Sequence, residues 1–108
     1  NCDPYVADIC AHPVIKDKLR LVVCDAIRAQ YNGGPAYAPQ WAWKHNGLLF
    51  SRDPVAIDRI GAQIIEEKRK ASGMPPLKQA GREPKYIETA AKLGLGEGDP
   101  AKIEVIQV

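Results

Sequence analysis

A strand-like pattern gives way to a helical one within Gly47-Leu48-Leu49-Phe50-Ser51-Arg52-Asp53-Pro54-Val55-Ala56-Ile57-Asp58. A short apolar run stops at Ser51, and Asp53 and Pro54 then open a long amphipathic pattern. Asp is a favoured N-cap, and Pro suits the first helical position because its missing N–H has no helical partner there. We therefore expect a short strand over 48–51 and a helix over 53–72. In α/β proteins such a switch faces a ligand crevice.

Similar patterns predict the other elements on either side of this stretch. Helices are expected over 5–10, 13–18 and 84–93, and strands over 19–25 and 103–108. A right-handed crossover would make the second and third strands parallel. The predicted fold class is therefore α/β, with a small mixed or largely parallel sheet of about three strands and helices packed on it. Three strands are few, so residues 1–108 are expected to form a single α/β domain or the C-terminal fragment of a larger one.

Composition excludes several classes of protein. Of the 108 residues, 45% are hydrophobic and 26% charged, and the net charge is +2. That charge is too small to predict nucleic-acid binding, and the basic run Lys68-Arg69-Lys70 is expected to be a solvated helix face. No apolar run reaches the ~18 residues of a membrane span. No signal peptide is visible, which favours the cytoplasm, but the chain starts at Asn1 without Met and is expected to be a fragment or processed product.

Cysteine usage argues against a metal cluster within this chain. Cys2, Cys10 and Cys24 are widely spaced, and no Cys-x-x-Cys occurs. No iron–sulfur cluster is therefore expected. Whether a disulfide such as Cys2–Cys10 forms stays an open question, because the spacing of the cysteines alone does not decide it.

A loop rich in glycine, proline and aromatic residues spans 31–45. The chain has two tryptophans, four tyrosines and one phenylalanine. Four of these aromatic residues lie in this loop: Tyr31, Tyr37, Trp41 and Trp43. Such loops are commonly functional or form interfaces. The aromatic residues are expected either to cap the core or to contact a ligand or partner.

The candidate ligand crevice combines residues that follow the predicted strands with residues of this loop. At the carboxyl edge of a parallel sheet it would hold Asp25, Asn32, Gly33, Gly34, His45, Ser51 and Asp53. Asp25 and Asp58, with Ser51, are candidate oxygen ligands for a hard cation. The sequence does not identify a cofactor. The alternative is structural: Asp53 caps the helix, Asp25 ends a strand and Asn32-Gly33-Gly34-Pro35 is a turn.

Several of these segments together resemble a known family. They are Val22-Val23-Cys24-Asp25, Asn32-Gly33-Gly34-Pro35, Leu49 to Asp58, Ala91 to Gly96 and Ile103-Glu104-Val105. The chain resembles the C-terminal half of a bacterial and archaeal domain family of unknown function, some members of which carry ferredoxin-type iron–sulfur domains. Asp25-Ala26 stands where the family has Asp-Gly. The resemblance implies a mixed α/β fold and a redox association, with the cluster in other parts of a parent protein.

Two functional hypotheses follow, and the sequence leaves open whether the chain is an enzyme. In the first, the domain contributes a ligand or metal crevice to a redox-linked bacterial protein. In the second, it is a non-catalytic binding or oligomer-assembly module that uses the aromatic loop 31–45. Its partner would then be another copy or the missing N-terminal part of the parent protein, with no nucleic acid and no membrane involved.

Overall fold

The computed structural model describes residues 2–108 of the chain. Two helices precede a pair of consecutive strands and two helices follow it, with 3₁₀ turns at Pro39–Trp41 and Pro100–Lys102. The elements are α1 (Tyr5–Ala11), α2 (Pro13–Lys16), β1 (Val22–Gln30), β2 (Ala42–Ser51), α3 (Pro54–Ala71) and α4 (Tyr86–Lys92). The predicted mixture of helix and strand is confirmed, and α3 lies within one residue of its predicted limits at each end.

The sheet differs from its prediction. Within residues 2–108 it contains two strands, β1 and β2, and they are antiparallel. The prediction of a largely parallel sheet of about three strands is therefore wrong. The loop between β1 and β2 reverses the chain as a long hairpin connection, and the segment 103–108, expected as a third strand parallel to the second, is not part of the sheet. Antiparallel strands need only such a loop, whereas parallel strands require a crossover.

The hairpin register is interrupted once, where β2 carries one extra residue. Ala26 lies opposite Gly47 and Arg28 opposite Lys44, so both His45 and Asn46 face Ile27. Asn46 has a φ of +59°, a left-handed conformation that Asn tolerates better than most residues. This β-bulge bends the strand and increases its local twist.

The core lies between the helices. Ala7 of α1, Val55 of α3, and Ile87 and Ala90 of α4 form its buried centre. The two alanines bring the helix backbones close together. Partly buried side chains surround this centre: Ala62, Tyr86, Ala91 and Leu95. Helix α3 also contacts both strands, so it lies between the sheet and the smaller helices.

Arg69 fastens the C-terminal end of α3 to two loops. Its side chain is 1% exposed, so the prediction that Lys68-Arg69-Lys70 is a solvated face is wrong for Arg69. Nε and Nη2 donate to the carbonyl oxygen of Pro75 at 3.0 and 2.8 Å, and Nη1 donates to that of Tyr31 at 2.8 Å. Backbone carbonyls thus satisfy the buried guanidinium, as a buried charge requires.

Candidate functional site

Asp53 is the most heavily bonded of the predicted ligand residues. Its Oδ1 accepts from the amides of Val55 and Ala56 at 2.8 and 2.9 Å, which confirms the predicted helix cap. Its Oδ2 accepts from the amide of Glu97 at 2.8 Å. Ser51, another predicted site residue, accepts from the Asp53 amide through Oγ at 2.9 Å. The Asp53 carboxylate therefore joins the start of α3 to the turn after α4.

Asp25 lies within β1 rather than at its carboxyl end. Its Oδ1 accepts from the amide of Ile27 at 2.9 Å, next to the bulge, and its register partner is Leu48. Because the strands are antiparallel, their carboxyl ends point in opposite directions. The parallel geometry that was expected to bring Asp25 and Asp53 to one sheet edge is therefore absent, and their shared role as ligand residues stays a prediction.

The predicted turn at 32–35 is held by arginines. Asn32 Oδ1 lies 3.4 Å from Nη1 of Arg69, and the carbonyl oxygen of Gly34 accepts from Nη2 of Arg82 at 2.8 Å. Gly33 has a φ of +79°, and a Cβ there would lie 3.2 Å from the ring of Trp41. Glycine is thus needed for both backbone conformation and space.

Three of the four aromatic residues of the loop form a cluster that contacts α3, whereas the fourth, Tyr37, is 65% exposed. The ring of Tyr31 lies edge-on to Trp41 at 5.8 Å and to Trp43 at 5.9 Å between centroids. Nζ of Lys68 lies 5.9 Å from the Tyr31 centroid and 5.8 Å from that of Trp43, within cation–π range. The half-buried rings cap this end of the molecule. The predicted site residue His45 joins the cluster, with its ring 6.0 Å from that of Trp43.

Asp58, the second predicted metal ligand, is paired with a tyrosine. Partial burial of its carboxyl raises the pKa of Asp58, while a hydrogen bond from Tyr86 opposes that rise. Burial, followed by the charge of Asp58 and that same hydrogen bond, raises the pKa of Tyr86 to about 12. The two side chains line a small cleft of about 50 Å³ between α1, α3 and α4.

The described residues 2–108 contain no group of three or more His, Cys, Asp or Glu side chains able to hold a metal ion. Asp25 on β1 and Asp58 on α3 are therefore not part of such a group, and their metal role stays a prediction. Cys2, Cys10 and Cys24 are free thiols. No helix in this part of the chain combines the length and hydropathy of a bilayer span.

Sequence reasoning missed an apolar surface on the sheet. Directly paired residues share a face, and the pairs Val23–Phe50 and Asp25–Leu48 place four side chains on one side. We call these four residues the open face. Val23 is 55%, Leu48 53% and Phe50 62% exposed. A sequence does not show whether its own chain supplies a cover for each face of a sheet.

Comparisons with models of protein families, with curated proteins and with solved structures gave no match to this chain. The resemblance of the sequence to a family with iron–sulfur members therefore stays a prediction.

We expect Asp53→Ala to lower the free energy of unfolding by about 1–3 kcal/mol, because it removes a helix cap and the acceptor of the Glu97 amide. Urea denaturation followed by circular dichroism measures this loss. Asp99→Ala is the matched control, since Asp99 caps only the 3₁₀ turn at Pro100–Lys102. An equal loss in both variants would contradict the joining role of Asp53.

Asp58 provides a pH-dependent prediction. Its folded-state pKa lies above the unfolded value, so its contribution to stability is present at low pH and is lost as pH rises through the folded pKa. In Asp58→Asn the charge is absent, and the amide oxygen still accepts from Tyr86. The variant should therefore gain stability relative to the original chain between about pH 3 and pH 7. Urea midpoints across this range measure the difference, and a difference that does not grow with pH would contradict the assignment.

Proposed function

We propose that this chain is a non-catalytic assembly module that pairs with a second copy of itself through the open face. The observation that carries the proposal is the exposure of Val23, Leu48 and Phe50 side by side on a two-stranded sheet. Burying such side chains against another apolar surface stabilises the pair by about 25 cal/mol for each Å² removed from water. Contiguous exposed apolar patches commonly mark interaction sites.

The ligand-crevice hypothesis has weaker support from the geometry. One oxygen of Asp25 and both oxygens of Asp53 already accept hydrogen bonds from backbone amides. The aromatic loop supports pairing less well, because the half-buried rings of Trp41 and Trp43 contact Tyr31, which leaves Tyr37 as the largely exposed ring of the loop. The pairing surface is therefore assigned to the open face instead of loop 31–45.

Charge argues for a second copy as the partner. The chain carries a net charge of only +2, so two copies repel one another weakly. The open face contains a single acidic residue, Asp25, beside Leu48. The exposed Arg52 follows two residues after Phe50, beyond the other end of the face. Leu48 and Arg52 are four residues apart, a distance of roughly 13 Å along an extended strand.

These charges select one of two symmetric arrangements. A two-fold axis parallel to the strands would place the Asp25 carboxylates of the two copies near each other. A two-fold axis across the strands instead brings Asp25 of each copy toward Arg52 of the other. Two copies of one surface meet in such an isologous interface, so each favourable contact occurs twice. The second arrangement is the one we propose.

Sedimentation velocity over a range of concentrations tests the pairing. The chain should form a reversible dimer, and Phe50→Ser should shift the equilibrium to monomer by at least roughly tenfold in dissociation constant. Tyr5→Ser is the matched control, because Tyr5 is a similarly exposed ring on α1, away from the sheet. A chain that stays monomeric, or equal effects of the two variants, would overturn the proposal.

A charge exchange tests the orientation within the same experiment. Asp25→Arg and Arg52→Asp should each weaken the dimer, since each juxtaposes like charges. The double variant restores opposite charges and should recover most of the lost affinity. If the double variant is no tighter than either single one, the axis across the strands is wrong even though the dimer exists.

A further inference from the structure

A strand-like segment near one end of the described chain has no strand partner. Residues 103–108 read Ile103-Glu104-Val105-Ile106-Gln107-Val108, rich in β-branched residues and free of proline and glycine. Ile103 has extended backbone angles, and the segment belongs to neither strand of the sheet. Val105 and Ile106 are largely exposed. The segment therefore has the composition of a strand without the pairing of one.

The sheet has an unpaired edge that suits such a segment. Within residues 2–108, β1 pairs only with β2, so the backbone donors and acceptors along its other edge have no strand partner. An edge of this kind is a template for an added strand. The bulge at His45 and Asn46 makes the corresponding edge of β2 irregular, whereas β1 carries no extra residue. We therefore infer that β1 receives segment 103–108 of a second copy as a third, antiparallel strand.

The positions of the polar residues fix the register. Asp25 and Arg28 on β1 are three residues apart, and so are Glu104 and Gln107 in the segment. In the antiparallel orientation Glu104 lies beside Arg28 and Gln107 beside Asp25. Apolar residues then face apolar ones, with Val105 next to Ile27, Ile106 next to Ala26, and Val108 next to Cys24. A parallel strand would instead set Glu104 against Asp25, which juxtaposes two carboxylates.

Arg28 gives an additional reason for an acidic neighbour. It lies directly opposite Lys44 in the hairpin, and both side chains are exposed. Like charges in directly paired positions are unfavourable. A carboxylate from Glu104 beside Arg28 reduces this repulsion. The open face and the β1 edge are different surfaces, so this contact goes beyond the dimer proposed above and would extend it into larger assemblies.

A labelled peptide with the sequence of residues 103–108 tests the inference by fluorescence anisotropy. The Tyr31 amide donates to the carbonyl oxygen of Trp41, so alternate residues of β1, among them Ala26, face the free edge. Ile106 lies beside Ala26 in the proposed register, and its amide therefore faces β1. The receptor is the full chain carrying Ile106→Pro, whose own segment no longer fits the edge because the proline removes this backbone donor. Circular dichroism verifies that this exposed substitution leaves the fold intact. We expect saturable binding that is weakened at least about tenfold when the peptide itself carries Ile106→Pro. Equal binding of the two peptides, or no saturable binding, would overturn the inference.

The register has its own control. A peptide with Glu104→Lys should bind more weakly, and a receptor that also carries Arg28→Glu should restore its binding. Failure of this rescue would overturn the register. Repeating the titration with Phe50→Ser in the receptor separates the two surfaces: peptide binding should be unchanged there even though the dimer is lost. Loss of peptide binding in that variant would place the peptide on the open face rather than on the edge.

Discussion

The carboxylate of Asp53 joins three parts of the fold through its hydrogen bonds. One of its oxygens caps α3, and the other holds the amide of Glu97. Gly96 completes the arrangement, because any Cβ there would collide with that carboxylate. The end of β2, the start of α3 and the turn after α4 therefore meet at one point. The core between α1, α3 and α4 is small, so a fixed direction for α3 matters to all of it.

The sequence predicted this junction well because its signals are local. Asp53 and Pro54 determine a helix start by hydrogen bonding and by ring geometry, without reference to distant residues. Strand pairing is not local. The stretch 42–47 mixes tryptophan, lysine, histidine, asparagine and glycine, so the sequence predicts a loop there rather than a strand. The segment 103–108 is predicted to be a strand parallel to 48–51, yet among residues 2–108 it pairs with neither strand of the sheet.

The same distinction between local and non-local signals explains how far the sequence predicted the candidate site. The carboxylates of Asp25 and Asp53 suit ligand binding, but which partners they bond depends on the backbone amides within reach. Here the Ile27 amide donates to Asp25 and the Glu97 amide donates to Asp53. Arg69 was expected to be solvated because its neighbours are charged. Its burial depends on the backbone carbonyl oxygens of Tyr31 and Pro75, which accept its hydrogen bonds. Tyr31 is far from Arg69 in sequence, and Pro75 lies just beyond the end of α3. No sequence pattern predicts that these two backbone carbonyls will accept hydrogen bonds from Arg69.

One long helix contacts both strands of a two-stranded sheet, and the open face of that sheet is left uncovered. Pairing with a second copy covers that face without requiring any further element of the chain. Isotope-filtered NMR on an equal mixture of labelled and unlabelled chain detects such pairing residue by residue. We expect intermolecular contacts from the methyl groups of Val23 and Leu48 to the ring of Phe50 in the other copy. Intermolecular contacts confined to other surfaces, or none at concentrations where the NMR is recorded, would contradict pairing through the open face.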